Sequence, residues 1–493
     1  MGNVPGVTIA TTPAPTPQKG FFGQPRVLAN LFGVEMWERF SFYGMQGILL
    51  IYLYYSADRG GLGVDEGVAA GIVGAYGGGV YLSTILGAWL ADRVIGPERT
   101  LFYSAVVVML GHISLSVLPG FFGVGVGLVL IAFGSGGVKA NATSLVGSLY
   151  DEHDERRDAG FSLFYMGINI GALVGPLLTG LLQKNWGFHF GFALAAVGMF
   201  FGLVQYSLGR KNLPEGTREV PNPLDRGTGI KFVAAAVAAI VVVAVLTLTD
   251  VITADRLSNI VVWASGIAAV IYFVVILSSK QITGIERRRV YAFIPLFIAS
   301  AVFWSLYQQQ FTVVTIYSDK RLDRTLLGWE MPVPWVQSIN PIFIIVLAGV
   351  FAAVWTKLGD RQPSTPVKFA LGTISIGISF LLFIPMSGGG PNSAPLWGLA
   401  GVLLFFTISE LLLSPVGLSV STKLAPAKFH TQMVALFFLS IAMGTAMSGL
   451  LSGYYDPASE VPYFSWLGIA AIAVGIVLWL FVKPISKLMG GVR

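Results

Sequence analysis

Stretches such as Thr100–Leu118, Phe232–Thr249, Leu257–Leu277 and Tyr463–Val482 contain no Asp, Glu, Lys or Arg. Each is close to the ~20 residues a helix needs to cross a ~30 Å hydrocarbon core. No water reaches that core, so each stretch must satisfy its own backbone as a helix. Charged residues are 11% of the chain and hydrophobic residues 54%. A typical soluble domain carries about 25% charge, so a soluble fold lacks the polar surface it would need. The 60 glycines suit helices packed closely on one another. Fourteen spans are predicted, an even number that puts both termini on one side.

The formal charge of +6 is not spread evenly. Lys and Arg cluster in alternate connections, at Arg93/Arg99, Arg156/Arg157, Arg210/Lys211/Arg218, Arg287–Arg289, Lys357/Arg361/Lys368 and Lys423/Lys428. The positive-inside rule makes these loops and both termini cytoplasmic, in a multi-pass protein of the plasma (inner) membrane. The charge thus faces the bilayer, not nucleic acid. There is no cysteine, hence no disulfide framework and no thiolate metal site. Residues 1–24 lack the apolar core of a signal peptide and read as a disordered cytoplasmic tail.

The spans divide into six (25–208), a polar linker with two inserted spans (209–280), and six more (281–493). Gly87-Ala-Trp-Leu-Ala-Asp92-Arg93 after the second span is echoed by Lys357-Leu-Gly-Asp360-Arg361 at the same place in the later block. Repeated halves around a midplane cavity are the build of secondary transporters.

Charge inside a membrane is costly and calls for a reason. Glu35, Glu38 and Arg39 stand at i, i+3 and i+4 in the first span, on a stripe continued by Tyr43 and Gln46. Two acids beside one base leave a carboxylate incompletely compensated, a group able to gain and lose a proton; a structural ion-pair staple is the alternative. Lys139 in the fourth span and Glu410 in the tenth of the core twelve are isolated. A shared aqueous cavity would let them pair with each other or bind opposite ends of a zwitterion. The run Asp151–Asp158 reads as solvated surface and not a metal site. His112, His153, His189 and His430 are expected near span ends or in loops. Pro295, Pro341 and Pro415 are expected at helix kinks.

Glu35-Met-Trp-Glu38-Arg39-Phe-Ser-Phe42-Tyr43-Gly44 resembles the Glu-x-x-Glu-Arg-Phe-x-Tyr-Tyr-Gly signature of the proton-dependent oligopeptide transporter family. Gly87–Thr100, Phe164-Tyr-Met-Gly-Ile-Asn169-Ile-Gly171 and Ser414-Pro415-Val-Gly-Leu match its other motifs in order. The resemblance covers nearly the whole chain. It implies an all-α polytopic membrane protein of the major facilitator fold, two six-helix bundles plus a two-helix insertion as in bacterial members. It further implies proton-coupled import of di- and tripeptides by alternating access, with no cofactor, by a monomer.

Carried over, the family assigns Glu35, Glu38 and Arg39 to proton coupling. Arg39 and Lys139 hold the peptide carboxylate, Glu410, Asn169 and Asn340 its amino group, and Tyr43 and Tyr81 its backbone. The departures are Phe42 for the first Tyr of the Tyr-Tyr pair, Phe437 for a common cavity Trp, and Gly74 for the His of animal members. Trp304 belongs to the cavity wall. Gln46 and Gln308 replace an Arg and an acid that form the outer gate, so the gate pair here is neutral and does not titrate. The nearest rival is a relative carrying another substrate, such as nitrate or a larger metabolite. No P-loop, nucleophile–base pair or metal-ligand set supports an ATP-driven pump or a membrane enzyme.

Overall fold

The computed structural model describes residues 20–492 apart from 152, 153 and 155. Most of the proposed tail, residues 1–19, and His153 lie outside the described residues. Residues 20–24 are not a loose tail: Phe21 and Gln24 close a turn, and Gln24 Oε1 accepts from the Tyr150 hydroxyl at 3.0 Å.

Among the described residues, thirteen helices are long and apolar enough to cross a membrane. The first six spans are α1 (Arg26–Tyr54), α2 (Glu66–Leu90), α3 (Pro97–Val117), α4 (Gly120–Gly147), α5 (Arg157–Trp186) and α6 (Phe188–Gly209). Helix α1 is the fourteenth span: its 29 residues suffice, but its charged cluster lowers its hydropathy. The inserted pair is α7 (Arg226–Leu248) and α8 (Leu257–Ser278). Then follow α9 (Gly284–Tyr307) continued by α10 (Val313–Lys320), α11 (Ile339–Leu358), α12 (Thr365–Leu381), α13 (Leu396–Lys423), α14 (His430–Ser452) and α15 (Glu460–Leu480). A short α16 (Val482–Met489) closes the chain, tucking Ile485 and Met489 against the core.

Helix starts carry their own chemistry. Asp65 accepts from the backbone of Gly67 and Val68 at the head of α2, and Thr283 forms a capping box with Glu286 at the head of α9. Pro295 and Pro415 lie inside α9 and α13, as does Pro176 inside α5, which the sequence reading passed over. Pro341 is not a kink. It occupies the first turn of α11, where its missing N–H has no partner to lose.

Helices α1–α6 pack as one bundle and α9–α15 as a second; they meet along α2 against α14 and α5 against α11. Helix α8 covers the α2–α14 seam, its Ser258 hydroxyl donating to the Gly71 carbonyl at 2.7 Å. Helix α7 stands at the periphery, with Phe232 stacked on Trp89 at 4.0 Å. The linker before it is strapped to the α2–α3 turn. Asn222 and Leu224 donate backbone N–H groups to the Asp92 and Arg93 carbonyls, and the Asn222 amide reaches Asp92 Oδ1 at 2.7 Å. Glu98, wholly buried, is gripped by Arg210 at 2.6 and 2.9 Å.

Close approach of α1 and α5 sets the cavity wall. A Cβ on Gly171 would lie 2.3 Å from the Met36 carbonyl and 2.8 Å from the Phe40 nitrogen, both backbone. Gly171→Val is therefore expected to push α5 off α1 and cost about 1–3 kcal/mol. A thermal melt of the purified protein, compared with Ser162→Val on an exposed α5 turn, measures it. Equal melting of the two variants would contradict the packing argument.

Candidate functional site

A cavity of about 240 Å³ lies between the two bundles. One wall carries Glu35, Arg39, Phe42, Tyr43 and Gln46 of α1, Tyr81 of α2, Lys139 of α4 and Asn169 of α5; the other carries Trp304, Gln308, Asn340 and Glu410. The sequence-derived set is thus brought together with two exceptions. Glu38 is fully buried behind the wall, and Phe437 does not line the cavity. Phe437 packs instead over Gly417, where an added Cβ would meet its ring at 2.3 Å. Lining was the wrong expectation there, because the α14 face bearing Phe437 turns to α13.

The α1 cluster is a three-group contact. The Arg39 Nε hydrogen bonds Glu35 Oε1 at 2.8 Å, while Glu38 Oε2 lies 2.9 Å from the same nitrogen. One N–H cannot serve both acids. Glu38 Oε1 takes a second donor, the Ser135 hydroxyl of α4, at 2.6 Å. Arg39 Nη2 and Glu35 Oε2 have no hydrogen-bond partner. Arg39 also lies 5.5 Å from the Phe42 ring centroid.

Lys139 and Glu410 do not pair with each other. The Lys139 ammonium rests over the Tyr81 ring at 4.1 Å, a cation–π contact. Glu410 Oε2 accepts from the Tyr307 hydroxyl at 2.5 Å, and the Asn340 amide lies 3.5 Å away while donating to Thr407 at 3.0 Å. Asn169 bonds back to the Tyr165 carbonyl of its own helix at 2.9 Å. Tyr43 stacks on Phe311 with ring centroids 6.0 Å apart.

The spans built on α9–α10 and on α11 are broken where they reach the cavity. A tight turn over Gln308–Phe311 separates α9 from α10, and another over Val333–Ser338 precedes α11. In such a turn residues three apart eclipse, so Gln308 and Phe311 face the cavity together. Irregular backbone at membrane depth is tolerated where it lines a cavity.

One end of the cavity is sealed across the bundles. Asp319 of α10 accepts from Tyr54 and from Tyr55, each at 2.7 Å. The adjacent Lys320 pairs with Glu66. Trp335 Nε1 donates to the Leu177 carbonyl at 2.9 Å and Ser338 to the Leu173 carbonyl at 2.8 Å. Toward the other end Tyr165, a lining residue of α5, is 41% exposed.

The POT family model matches residues 98–467. The chain belongs to the POT family. It is 42% identical to a protein named "Di-/tripeptide transporter" of Lactococcus lactis subsp. cremoris, over 97% of this chain and 99% of that one. It is 44% identical to "Uncharacterized transporter YclF" of Bacillus subtilis (strain 168), over 97% of each. Its fold superposes on a crystal structure described as peptide transporter POT in complex with sulfate, with TM-score 0.92 and 45% identity, covering 96% of this chain and 98% of that one. A POT chain with this fold is a membrane transporter of the major facilitator class and not an enzyme.

Several residues of this POT chain that contact the cavity's charged groups or close its end escaped sequence reasoning. Tyr307 stands next to the noted Gln308 but carries no charge to flag it. Ser135 lies four residues before Lys139, on a face that sequence alone does not orient. Asp319 and Lys320 lie at the end of α10, and only the fold brings them to Tyr54, Tyr55 and Glu66. The histidines mostly follow expectation: His189 and His430 open α6 and α14. His112 is the correction, fully buried in α3 with neither ring nitrogen bonded. In the 151–158 run, Asp154 and Arg156 pair at 2.8 Å with Arg156 57% exposed, a solvated contact.

Proposed function

We propose that this chain imports di- and tripeptides with protons by alternating access. The observation that carries the reading is a single cavity with Arg39 and Lys139 on one wall and Glu410 with Asn340 on the other. A short peptide has a carboxylate at one end and an ammonium at the other whatever its side chains. Charges of opposite sign on facing walls hold such a molecule by its ends and leave its sequence free. The related proteins that carry peptide-transporter names support the same substrate class.

Coupling follows from the α1 cluster. Arg39 is shared between two acids while the cavity is empty. A peptide carboxylate drawn to Arg39 and Lys139 competes for that guanidinium, and the acid it deserts becomes a better proton acceptor. Proton and peptide then neutralise one another's cost of crossing. In this reading the unit is a single chain, partitioned at 25–208, 209–280 and 281–493. Its basic loops and both termini face the cytoplasm of the cell membrane. The sealed end is then extracellular, and the conformation is inward-facing.

The outer gate in this reading has two layers. Gln46 and Gln308 form a neutral inner layer, and Asp319 and Lys320 with Tyr54, Tyr55 and Glu66 form the lock outside it. Hydrogen bonds to a charged group contribute about 1.5–3 kcal/mol each, so two tyrosine hydroxyls on one carboxylate bias the seal toward closure. Tyr54→Phe with Tyr55→Phe is expected to expose a cysteine placed at Ile316 several-fold faster to a water-soluble maleimide. The native chain has no cysteine to confuse the readout. Unchanged labelling would remove the lock from the gate.

The deciding experiment for the function is uptake of labelled dialanine into proteoliposomes with and without an inward proton gradient. Accumulation above the bath that needs the gradient is expected. Equilibration without accumulation, or no uptake, overturns the reading.

A further inference from the structure

Helix α16 packs against α9 and α12 and is two-sided. Ile485 and Met489, one turn apart, are buried, whereas Lys483 and Lys487, also one turn apart, are exposed. Its far end lies beside the first turns of α9. A Cβ on Gly490 would stand 3.9 Å from Arg289 Nε and 4.0 Å from Ile285 Cγ2. The basic face of α16 and the Arg287–Arg289 run of α9 therefore belong to one surface.

That surface carries cations with almost nothing to balance them. Residues 481–492 contain no Asp or Glu, and residues 284–292 contain only Glu286. Glu286 is committed elsewhere, its Oε2 accepting the Thr283 N–H at 2.7 Å and its Oε1 the Ala427 N–H at 2.9 Å. Arg287 donates to the Ser279 carbonyl at 3.1 Å. Among the described residues, Arg288, Arg289, Lys483 and Lys487 form no ion pair with an acid. Arg288, Lys483 and Lys487 are all exposed.

Apolar surface borders the cations. Trp479, Leu480 and Phe481, where α15 passes into α16, are exposed, as is Ile285 one turn before Arg288 and Arg289. At the end of a membrane span such residues meet acyl chains. Lys483 follows Phe481 by two residues, about 3 Å of helical rise, so the lysines stand where hydrocarbon gives way to headgroups. Their long stems suit that boundary.

A ligand for this surface needs an anion and an apolar body together. A free phosphate has no use for the apolar rim. A zwitterionic lipid brings a second cation to a surface already crowded with them. An anionic phospholipid offers its phosphate to the lysines and arginines and its chains to the rim. We propose that the basic face of α16, with the head of α9, is a binding site for the headgroup of an anionic phospholipid. The lipid relieves repulsion among the cations and holds α16 on the second bundle.

Native mass spectrometry of the purified protein and thermal melting in detergent with added lipid test it. Phosphatidylglycerol should be retained and should raise the melting temperature more than phosphatidylcholine with the same chains. A surface lysine facing an anionic headgroup counts for about five-fold in binding, so Lys483→Gln/Lys487→Gln should weaken phosphatidylglycerol roughly thirty-fold. Lys211→Gln/Lys231→Gln removes the same charge from exposed positions in the linker and α7, and should leave binding unchanged. Arg288→Gln provides an independent variant if the double lysine change does not fold, with a loss of about five-fold expected. Equal retention of the two lipids, or equal weakening by the linker control, overturns the site. Stabilisation by inorganic phosphate as strong as that by phosphatidylglycerol at matched concentration overturns the lipid as its ligand.

Discussion

Glu38→Gln should abolish proton-driven accumulation of dipeptide while counterflow without a gradient partly survives. The amide keeps the volume of Glu38, which is fully buried, and keeps an acceptor for the Ser135 hydroxyl now 2.6 Å from Oε1. What it removes is one of the two acids sharing Arg39, leaving Arg39 in a lasting one-to-one pair with Glu35, whose Oε1 is 2.8 Å away. A peptide carboxylate must then break that undivided pair before any acid is freed for a proton, so binding no longer brings a proton with it. One proton moving across a one-unit pH difference supplies about 1.4 kcal/mol, a ten-fold concentration ratio. That ratio should fall to one, with the exchange of labelled for unlabelled dialanine reporting that the cavity still alternates. Wild-type accumulation by Glu35→Gln/Glu38→Gln would show that protons enter elsewhere.

The second large effect is expected at Glu410. The Tyr307 hydroxyl at 2.5 Å and the Asn340 amide at 3.5 Å both address Oε2, which orients the carboxylate and leaves Oε1 for a ligand. Glu410→Gln removes the charge that meets a peptide ammonium, worth about 1.5–3 kcal/mol or roughly 10- to 150-fold in affinity. Acetylating the peptide amino group removes the same contact from the other side. The two changes should therefore not add: N-acetyl-dialanine should bind wild type and Glu410→Gln almost equally weakly. Free and acetylated dialanine competing alike on the wild-type protein would exclude Glu410 as the ammonium receptor. Tyr307→Phe should lie between, since it loosens the carboxylate without discharging it.

Much of the fold was legible beforehand because a bilayer punishes few things, and punishes them hard. Backbone without a partner and charge without a reason are both excluded from hydrocarbon, so spans show as uncharged runs and the exceptions stand out. That is why Glu35, Glu38, Arg39, Lys139 and Glu410 were visible as a site before any helix was placed. The residues that complete it were not. Tyr307 and Ser135 are ordinary membrane residues until a neighbouring helix presents a carboxylate to them.

The sequence by itself determined which segments cross the membrane, which charges lie inside it, and the order of motifs that marks the family. These are properties of composition along one chain direction, and no neighbour is needed to read them. Tertiary structure alone decided who faces whom. Each residue advances a helix by about 100°, and a stripe of several residues is broader than one contact. Glu38 therefore turns to Ser135 and leaves the cavity, while Glu35, four residues before Arg39, remains on its wall. Phe437 is lost to α13 for the same reason. The tyrosine lock on Asp319 joins residues more than 260 positions apart, as 264 and 265 intervals separate them.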